Sequence, residues 1–518
     1  MGAENKIDCL FLIAKSSGKT YQKLSVTYSA IEPPTWALLL AQSMRAVGNE
    51  VRILDANAED LSKEDILKKI KLFSPRLLCF VVYGQNVNAG TTNMSGATFV
   101  SNYLKSKNIK TPIAIIGSHV QALPIETLER EKSIDFVFTN EGVYALRNIL
   151  KLNNFSYEEL HKIKGIAYRK NNRIILNMPE KIVPNEKMDE DLPGYAWDLL
   201  PFKNSPLDLY RSPMWHAEYN FEKRSPYASL QTSLGCQFGC NFCMINIINR
   251  DDNEEVGVAS DYSKMRFWST DFIIKEFDKL ISMGVKTIRI VDEMFLLNPK
   301  YYIPLCEQLA ERNKDDSLRI WSYSRIDTVK RPEILKLVRK AGIKWLALGI
   351  ESGDKSVRLE VDKGKFEDVD VKKVIAKVHE ADINVMANYI YGLPGDTRET
   401  IEKTFKLSLE LCTAGWNTYG AMALPGSLLY KNAIEKGTKL PETYEGYSFH
   451  AYETLPVPTE KLTAKEIITL RDEAFDRYHN HKPFLALIEE KFGKKAAENI
   501  VDMTKIKLKR KIKGDQPH

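Results

Sequence analysis

Several features of specialised protein classes are missing from this sequence of 518 residues. No apolar run approaches the roughly 18 to 20 residues that a membrane-spanning helix needs. Cysteine is scarce, and seven residues in so long a chain exclude a small disulfide scaffold, which leaves reduced thiols or metal ligands. The hydrophobic content of 44% and the charged content of 27% exclude a collagen-like or largely disordered chain. We therefore expect a globular protein of roughly two to four domains.

The beginning of the chain and its basic residues do not direct it to a membrane or a nucleic acid. Residues 1–6 contain no apolar secretory core and no Ser or Thr at position 6 that would suggest myristoylation, so we expect a cytoplasmic protein. The whole formal net charge of +6 lies in residues 505–513, which hold six Lys or Arg and no acid. We interpret this basic tail as a solvated, frayed terminus. The alternative, contact with RNA, phosphate-rich lipid or a membrane, lacks interleaved aromatic residues to support it.

The first 150 residues alternate short apolar runs with amphipathic stretches. This order predicts a doubly wound, Rossmann-like α/β domain with a parallel sheet, and such sheets bind ligands at the carboxyl ends of their strands. Strands are predicted at 6–14, 50–55, 76–82, 112–117 and 135–140. Glycines and small polar residues follow the last three strands and are the candidate ligand contacts: Tyr83-Gly84-Gln85-Asn86, Gly117-Ser118-His119 and Asn140-Glu141-Gly142.

A second β/α series follows a segment without regular alternation. Residues 151–225 are rich in Lys, Asn and Pro and are interpreted as a partly structured connector. Residues 226–430 predict a partial β/α barrel, whose chemistry is expected at the carboxyl ends of its strands. Residues 431–518 predict a mostly helical C-terminal region. The six barrel strands are predicted at 228–234, 287–292, 318–324, 345–350, 384–391 and 417–424.

Three of the seven cysteines, Cys236, Cys240 and Cys243, fall within eight residues after the first predicted barrel strand. A structural zinc site usually has two CxxC pairs or a CxxC with later histidines, and no such partner pair is present. A four-iron cluster held by three thiolates leaves one iron open to a ligand, and a glycine-containing loop suits that arrangement. The alternative is that the three are free or buried core thiols. The remaining cysteines lie on apolar faces and are predicted to be core: Cys9, Cys79, Cys306 and Cys412.

The CxxxCxxC spacing, with Phe242 before the last cysteine, resembles the radical S-adenosylmethionine (SAM) superfamily. The resemblance implies that the three thiolates hold a 4Fe–4S cluster whose open iron chelates the amino and carboxylate groups of SAM. It also implies that Phe242 packs near the adenine. The second strand ends in Asp292 and Glu293 where the family commonly has Gly-Gly-Glu, so either carboxylate could receive the SAM ammonium. The other implied SAM contacts are Ser324 and Arg325 after the third strand, Glu351 after the fourth and Pro394 after the fifth.

The amino-terminal domain resembles that of the cobalamin-binding branch of the same superfamily. The stretch 13–33 contains no histidine, so a cobalamin bound here is expected to lack a histidine lower ligand. The alternative is a vestigial or other nucleotide-binding domain, although no GxGxxG follows any strand to favour a dinucleotide. The implied cobalamin contacts are Tyr83, Gly84, Gly117, Ser118, His119, Glu141 and Gly142.

The resemblance also implies a reaction. An external electron donor such as flavodoxin or ferredoxin would reduce the cluster, SAM would yield a 5′-deoxyadenosyl radical, and that radical would remove hydrogen from an unactivated carbon of a small molecule. In the cobalamin branch the usual sequel is methylation of that carbon. The alternatives are rearrangement, cyclisation or oxidation with the same cofactors, a first domain that serves only substrate recognition, and a cluster or cobalamin sensor without turnover. The sequence does not indicate the substrate.

Overall fold

The computed structural model describes residues 7–84, 87–213, 224–360 and 369–517. Two large sheets carry the fold, one in each half of the chain, and a two-stranded ribbon follows the first strand of the second sheet. None of the helices in these described ranges is long and apolar enough to span a bilayer.

The first sheet has seven strands in the order β2-β1-β3-β4-β5-β6-β7. β1 to β5 are parallel, and apolar clusters cover both of their faces, as the doubly wound prediction requires. β6 and β7 add antiparallel strands and come from the predicted connector, so this sheet extends beyond residue 150. The strands are β1 (Cys9–Ile13), β2 (Val51–Asp55), β3 (Leu77–Val82), β4 (Ile113–Gly117), β5 (Phe136–Phe138), β6 (Ile166–Lys170) and β7 (Arg173–Leu176). The helices are α1 (Ser17–Tyr21), α2 (Leu24–Thr27), α3 (Thr35–Arg45), α4 (Lys63–Phe73), α5 (Gly90–Ser106), α6 (Ser118–Ala122), α7 (Pro124–Arg130), α8 (Val143–Leu150), α9 (Tyr157–Leu160) and α10 (Met188–Asp191).

The second sheet is a six-stranded parallel partial barrel, which confirms the predicted class. Its order, β8-β11-β12-β13-β14-β15, follows the chain, and helices lie between successive strands from β11 onward. The barrel strands are β8 (Tyr227–Leu230), β11 (Thr287–Ile290), β12 (Arg319–Arg325), β13 (Ile343–Glu351), β14 (Asn384–Tyr391) and β15 (Gly415–Gly420). The helices are α11 (Thr270–Ser282), α12 (Pro299–Arg312), α13 (Pro332–Lys340), α14 (Lys355–Glu360), α15 (Val371–Glu380) and α16 (Arg398–Leu411).

The predicted strand at 228–234 is wrong as a single element, because the chain leaves the barrel after Leu230. It then forms β9 (Ser233–Cys236), which pairs antiparallel with β10 (Lys264–Phe267). The buried Asp292 carboxylate holds the bend, since it accepts hydrogen bonds at 2.6 Å from the backbone N–H and hydroxyl of Thr232 and from the Ser233 hydroxyl. The first cysteine therefore lies at the end of the ribbon and not at the end of a barrel strand.

The C-terminal region is helical, and it closes the partial barrel. The Tyr478 ring stacks on Trp416 of β15 at 5.1 Å, and the Phe492 ring stacks on Trp345 of β13 at 5.8 Å. Both tryptophans lie near the amino ends of their strands, so these helices cover that end of the barrel. They are α17 (Leu428–Glu435), α18 (Ala464–His479), α19 (Lys482–Phe492) and α20 (Lys494–Lys505).

The expectation of a frayed basic tail is wrong. The Arg510 side chain is fully buried, donates to the Ala451 carbonyl at 3.0 Å, and pairs with Asp472 of α18 at 2.8 Å. Lys513 pairs with the same carboxylate at 3.0 Å. Burial opposes ionisation of Asp472, but hydrogen bonds from Arg510 and nearby cations hold its pKa at about 2. A carboxylate at the centre of several cations therefore anchors the tail.

We expect Arg510→Ala to lower the free energy of unfolding by about 2–4 kcal/mol, because it removes a fully buried side chain and takes from the partly buried Asp472 its main partner. Chemical denaturation followed by circular dichroism measures this loss. The control is Lys511→Ala, which removes a neighbouring charge from an exposed side chain and should change the stability by less than about 0.5 kcal/mol. Equal losses in the two variants would contradict the anchoring role of Arg510.

Candidate functional site

A chamber of about 770 Å³ lies where the two halves of the chain meet. Residues from the carboxyl ends of β1 and β3 form one part of its wall, and residues of β11 to β15 form another. The three clustered cysteines also line it. The chamber therefore joins the ligand-binding edge of the first sheet to the carboxyl ends of the barrel strands.

Buried side-chain amides fix the backbone of the cysteine loop at the chamber wall. The Oδ1 atom of Asn246 accepts the Cys236 N–H at 2.7 Å, and its Nδ2 donates to the Phe238 carbonyl at 3.1 Å. Gly235 has a φ of +80°, and a Cβ there would lie 2.7 Å from the Asn249 amide nitrogen, so only glycine fits. None of the three forms a disulfide in the described part of the chain. Because thiolates are the usual protein ligands of iron–sulfur clusters, this donor set fits the predicted cluster.

Asn88, which sequence reasoning missed, reaches the cysteine loop from the first domain. It lies in the turn after β3, lines the chamber, and accepts the Met244 N–H at 3.1 Å. Its side chain also hydrogen-bonds the Cys243 thiol. An amide in a loop gives no sequence signal of such a contact. Gln85 and Asn86, which were predicted at the same strand end, lie outside the described residues.

Asn88→Ala is expected to make the cluster harder to reduce, because hydrogen bonds to the sulfurs of a cluster raise its reduction potential. A redox titration of the reconstituted protein, followed by electron paramagnetic resonance, measures the shift to a more negative potential. The matched control is Asn93→Ala on the same wall, since Asn93 contacts Ser16 and the Tyr83 carbonyl and not the cysteine loop. A shift of the same size in the control would rule out the specific role of Asn88.

The two acidic candidates after β11 have different surroundings. Asp292 is not among the chamber residues, and its three hydrogen bonds to Thr232 and Ser233 occupy its carboxylate. Glu293 lines the chamber beside the cysteine loop, and its burial raises its pKa to about 7 despite the nearby Arg289 cation. Glu293 is thus the carboxylate of this pair that can meet an ammonium group in the chamber.

The candidates on β12 both line the chamber. The Arg325 guanidinium lies 3.7 Å from the centre of the Phe238 ring in the cysteine loop, and Asp327 orients it through a 2.8 Å hydrogen bond. The Ser324 hydroxyl is 2.7 Å from that of Thr328. A planar cation fixed over the cysteine loop is suited to a carboxylate ligand.

The candidates on the next strands divide between the chamber and the surface. Glu351 lines the chamber at a φ of +63°, where the pairing register with β14 shifts. Phe242 also lines it and packs, as Ile390 of β14 does, against the buried cluster of Val357 and Leu393. Pro394 is exposed and is not among the residues that line the chamber, so the structure does not bring it to the other candidates.

Comparison with known proteins finds two family matches in separate parts of the chain. Residues 230–408 match the Radical SAM superfamily, and residues 22–150 match the B12 binding domain. The chain belongs to the cobalamin-binding radical SAM enzymes. Its cofactors are accordingly a 4Fe–4S cluster, SAM and cobalamin.

Relatives of this radical SAM enzyme cover much of its length. An uncharacterized methyltransferase of Pyrococcus horikoshii is 26% identical over 80% of this chain and 82% of its own. The anaerobic magnesium-protoporphyrin IX monomethyl ester cyclase of Cereibacter sphaeroides is 24% identical over 75% of this chain and 58% of its own. Among solved structures, the cobalamin-dependent radical enzyme OxsB has a TM-score of 0.63 at 14% identity and covers 96% of this chain and 71% of its own. TsrM from Kitasatospora setae has a TM-score of 0.60 at 15% identity, over 82% of this chain and 76% of its own. These two similarities concern the fold.

In the B12-binding domain, the strand order determines which predicted contacts reach the chamber. The order β2-β1-β3-β4-β5 reverses direction between β1 and β3, and open sheets bind ligands at that switch point. Tyr83 and Gly84, which follow β3, line the chamber. Further residues line the chamber beside Tyr83 and Gly84, and sequence reasoning missed them. They follow β1 or lie on the first turn of α5: Ala14, Ser16, Ser17, Thr92 and Asn93.

The predicted contacts after β4 and β5 lie elsewhere in the domain, and none of them is among the chamber residues. The His119 ring is buried against Tyr444, its Nδ1 lies 3.2 Å from the Thr91 hydroxyl, and burial lowers its pKa to about 3. Glu141 forms a buried ion pair at 2.7 Å with Arg266 of β10, which joins the two halves of the chain. The other three have local roles. Gly117 and Ser118 lie at the β4–α6 junction, and Gly142 begins α8 at a φ of +80°.

A second contact between the two halves lies inside the chamber. Glu32, in the segment before α3, pairs with Arg289 of β11, and both side chains are mostly buried. Arg289 also hydrogen-bonds the Tyr323 hydroxyl, and its guanidinium lies 4.9 Å from the centre of that ring. The B12-binding domain therefore contributes a carboxylate to the interior of the barrel.

Proposed function

We propose that this enzyme methylates an unactivated carbon of a small molecule. The observation that supports this reaction is the shared chamber, whose wall includes the three cysteines and also the carboxyl ends of β1 and β3 of the B12-binding domain. When bound, the cluster with SAM supplies a 5′-deoxyadenosyl radical and cobalamin supplies a methyl group. A substrate in one chamber can meet both in turn without release.

The residues of the chain have distinct roles in this proposal. Cys236, Cys240 and Cys243 hold the cluster. Glu293 accepts the SAM ammonium, Arg325 binds its carboxylate, and Glu351 accepts hydrogen bonds from its ribose. Phe242 packs against the adenine, and the mostly apolar chamber excludes water from the radical. We further propose a cytoplasmic location, because the cluster needs a low-potential donor such as flavodoxin or ferredoxin.

The cobalamin contacts in this proposal lie at the switch point of the first sheet. Of the contacts predicted from the sequence, the proposal keeps Tyr83 and Gly84. It adds the chamber residues that follow β1. In the described part of the chain, the histidines that line the chamber are His450 and His479 of the C-terminal region. A cobalamin without a histidine ligand from its own domain therefore stays our prediction.

Names of relatives favour methyl transfer, with one alternative. Besides the Pyrococcus horikoshii protein, the hopanoid C-2 methylase of Rhodopseudomonas palustris is 29% identical over 38% of this chain. The cyclase of Cereibacter sphaeroides supports ring closure as the second candidate reaction. Because substrates differ among these relatives, their names do not assign one here.

The two reactions differ in their products from SAM. Methyl transfer consumes a second SAM and releases S-adenosylhomocysteine, whereas ring closure yields only 5′-deoxyadenosine and methionine. The anaerobically reconstituted enzyme, given cobalamin, a reductant and SAM with a deuterated methyl group, is expected to release both nucleosides. Loss of S-adenosylhomocysteine with retained 5′-deoxyadenosine would favour the cyclase alternative, and the absence of both would contradict a radical SAM reaction.

A further inference from the structure

The chamber extends deep into the barrel, below the level of the predicted SAM contacts. At its far end, near the amino ends of β12 to β15, it is lined by large apolar side chains of the strands and the C-terminal helices. We call this end the floor pocket, and its residues are Trp321, Met386, Trp416, Phe484, Ile500 and Met503. Because none of these six side chains carries a charge, the floor pocket offers mainly dispersion contacts and burial of apolar surface.

Small residues on the barrel strands reduce the number of bulky side chains inside the barrel. In many β/α barrels, layers of bulky side chains fill the interior. Here Ala347 of β13 and Gly415 of β15 lie in one row of the sheet with Met386 between them, and Gly349 lies in the next row. All four line the chamber. The Met386 side chain occupies the space beside Gly415, and the Glu351 side chain occupies the space beside Gly349. On these three strands, Met386 is therefore the one large side chain of its row.

The charged groups that line the chamber have partners outside the floor pocket. Arg289 pairs with Glu32, Arg471 shares Asp472 with Arg510 and Lys513, and Arg325 pairs with Asp327 and is assigned above to the SAM carboxylate. The two remaining carboxylates of the described wall, Glu293 and Glu351, lie at the carboxyl ends of their strands, where the SAM contacts are proposed. A charged substrate group among the six apolar side chains of the floor pocket would be desolvated, which is costly.

Asn417 of β15 lines the chamber above the floor pocket. Asn388 donates both of its N–H groups, to the carbonyls of Leu348 at 3.4 Å and Met386 at 3.2 Å, so its Oδ1 must be an acceptor. That oxygen receives the Asn417 Nδ2 at 3.2 Å and the Tyr419 hydroxyl at 3.3 Å. The orientation of Asn417 is therefore fixed. Its own Oδ1 is left as an acceptor that has no hydrogen-bond partner among residues 7–84, 87–213, 224–360 and 369–517.

The acceptor lies at the boundary between the two ends of the chamber. Asn417 and Asn388 share a row of the sheet with Gly349 and with Arg325, the proposed partner of the SAM carboxylate. A molecule anchored at Asn417 would place its body in the floor pocket and its anchored end beside the SAM contacts. This position suits a substrate that must present a carbon to the radical.

We propose that the substrate is a neutral, largely apolar molecule that fills the floor pocket and donates a hydroxyl or N–H hydrogen bond to Asn417. This substrate class deepens the function proposed above and rests on it. The aromatic and aliphatic floor binds the body of the molecule and disfavours an ionised one, and the Asn417 oxygen selects for a donor group.

Three naphthalenes that differ in one substituent test this proposal. Equilibrium dialysis with the reconstituted, SAM-loaded enzyme is expected to show that 2-naphthol binds about fivefold more tightly than 2-methoxynaphthalene, which lacks the donor. The anionic 2-naphthoate is expected to bind at least about tenfold more weakly than 2-naphthol. Asn417→Leu should remove the preference for 2-naphthol over 2-methoxynaphthalene while both still bind.

A second variant tests the location. Met503→Trp fills the floor pocket and should weaken the binding of both neutral probes, whereas Leu72→Trp, at a side chain of α4 that is 73% exposed, should not. If Met503→Trp does not fold, Ile500→Phe makes the same test. Equal binding of 2-naphthoate and 2-naphthol, or binding that neither filled variant weakens, would overturn the proposal.

The formation of 5′-deoxyadenosine from SAM is measured in parallel in each protein. An enzyme that cleaves SAM but shows the wrong probe preference would contradict the substrate class alone. A protein that shows the expected preference but forms no 5′-deoxyadenosine would contradict the proposed function and leave the neutral pocket standing.

Discussion

Replacing Cys240 by Ala is expected to abolish the 4Fe–4S cluster and, with it, 5′-deoxyadenosine formation to the detection limit. The three thiols at the chamber wall are the only cysteines that line it in the described residues, since Cys9, Cys79 and Cys306 are buried in the core and Cys412 lies at the end of α16. The chamber wall therefore offers no fourth thiol, among the described residues, that could replace Cys240 as a cluster ligand. Iron and sulfide content and the visible absorption of the reconstituted protein measure the cluster.

The control for this prediction is Cys306→Ala, which removes a thiol from the core of α12. This variant should keep its iron content and its rate of SAM cleavage, with a modest loss of stability from the small cavity. Circular dichroism should show that Cys240→Ala remains folded, because Cys240 is only partly buried in a loop. A folded Cys240→Ala protein with a full iron complement would contradict the assignment.

The alternation of apolar and amphipathic segments predicted the parallel strands of both sheets, many of which are buried on both faces. It did not predict the antiparallel strands β6 and β7, which lie in the predicted connector. The strand after residue 228 is another exception. Its alternation of apolar and polar residues continues through Leu234, but the chain bends at Thr232 because Asp292, sixty residues away, binds that residue. Local patterning contains no information about such a partner.

The residues predicted to contact SAM and those predicted to contact cobalamin differ in how many line the chamber, for a topological reason. In the barrel, the strand order follows the chain, so residues after successive strands meet at one end, and Glu293, Ser324, Arg325 and Glu351 all line the chamber. In the B12-binding domain, the order reverses at β1, so the ends of β4 and β5 lie away from the switch point. The sequence shows where strands occur but does not show their order in the sheet.

Contacts made by polar side chains from distant segments were also beyond sequence reasoning. Asn88, Asn417 and Arg510 lie in stretches with no motif, and each acquires its role from a partner in another part of the fold. The basic tail shows that local charge alone does not predict whether a segment is exposed. Six cations in nine residues suggest solvent exposure, yet the carboxylate of Asp472 on α18 draws Arg510 into the protein.

Glu293→Gln is expected to weaken SAM binding by about 10- to 100-fold. A hydrogen bond between two charged groups contributes about 1.5–3 kcal/mol, and the amide keeps the size of the side chain but removes its charge. Isothermal titration calorimetry of the cluster-loaded protein with SAM measures the dissociation constant under anaerobic conditions. The cluster content should stay unchanged, because Glu293 is not one of the three thiol positions.

Asp292→Asn is the matched comparison, because it makes the same chemical change at the neighbouring position. The three groups that Asp292 binds, two on Thr232 and one on Ser233, all donate, and an asparagine amide would direct N–H groups at some of them. We therefore expect a loss of about 1–3 kcal/mol in the free energy of unfolding and a smaller change in SAM affinity than in Glu293→Gln. The reverse pattern, with weak SAM binding only in Asp292→Asn, would transfer the ammonium contact to Asp292. The two carboxylates are neighbours in sequence, but Asp292 binds the bend before the ribbon and Glu293 lines the chamber. This pair of variants therefore distinguishes a structural role at Asp292 from SAM binding at Glu293.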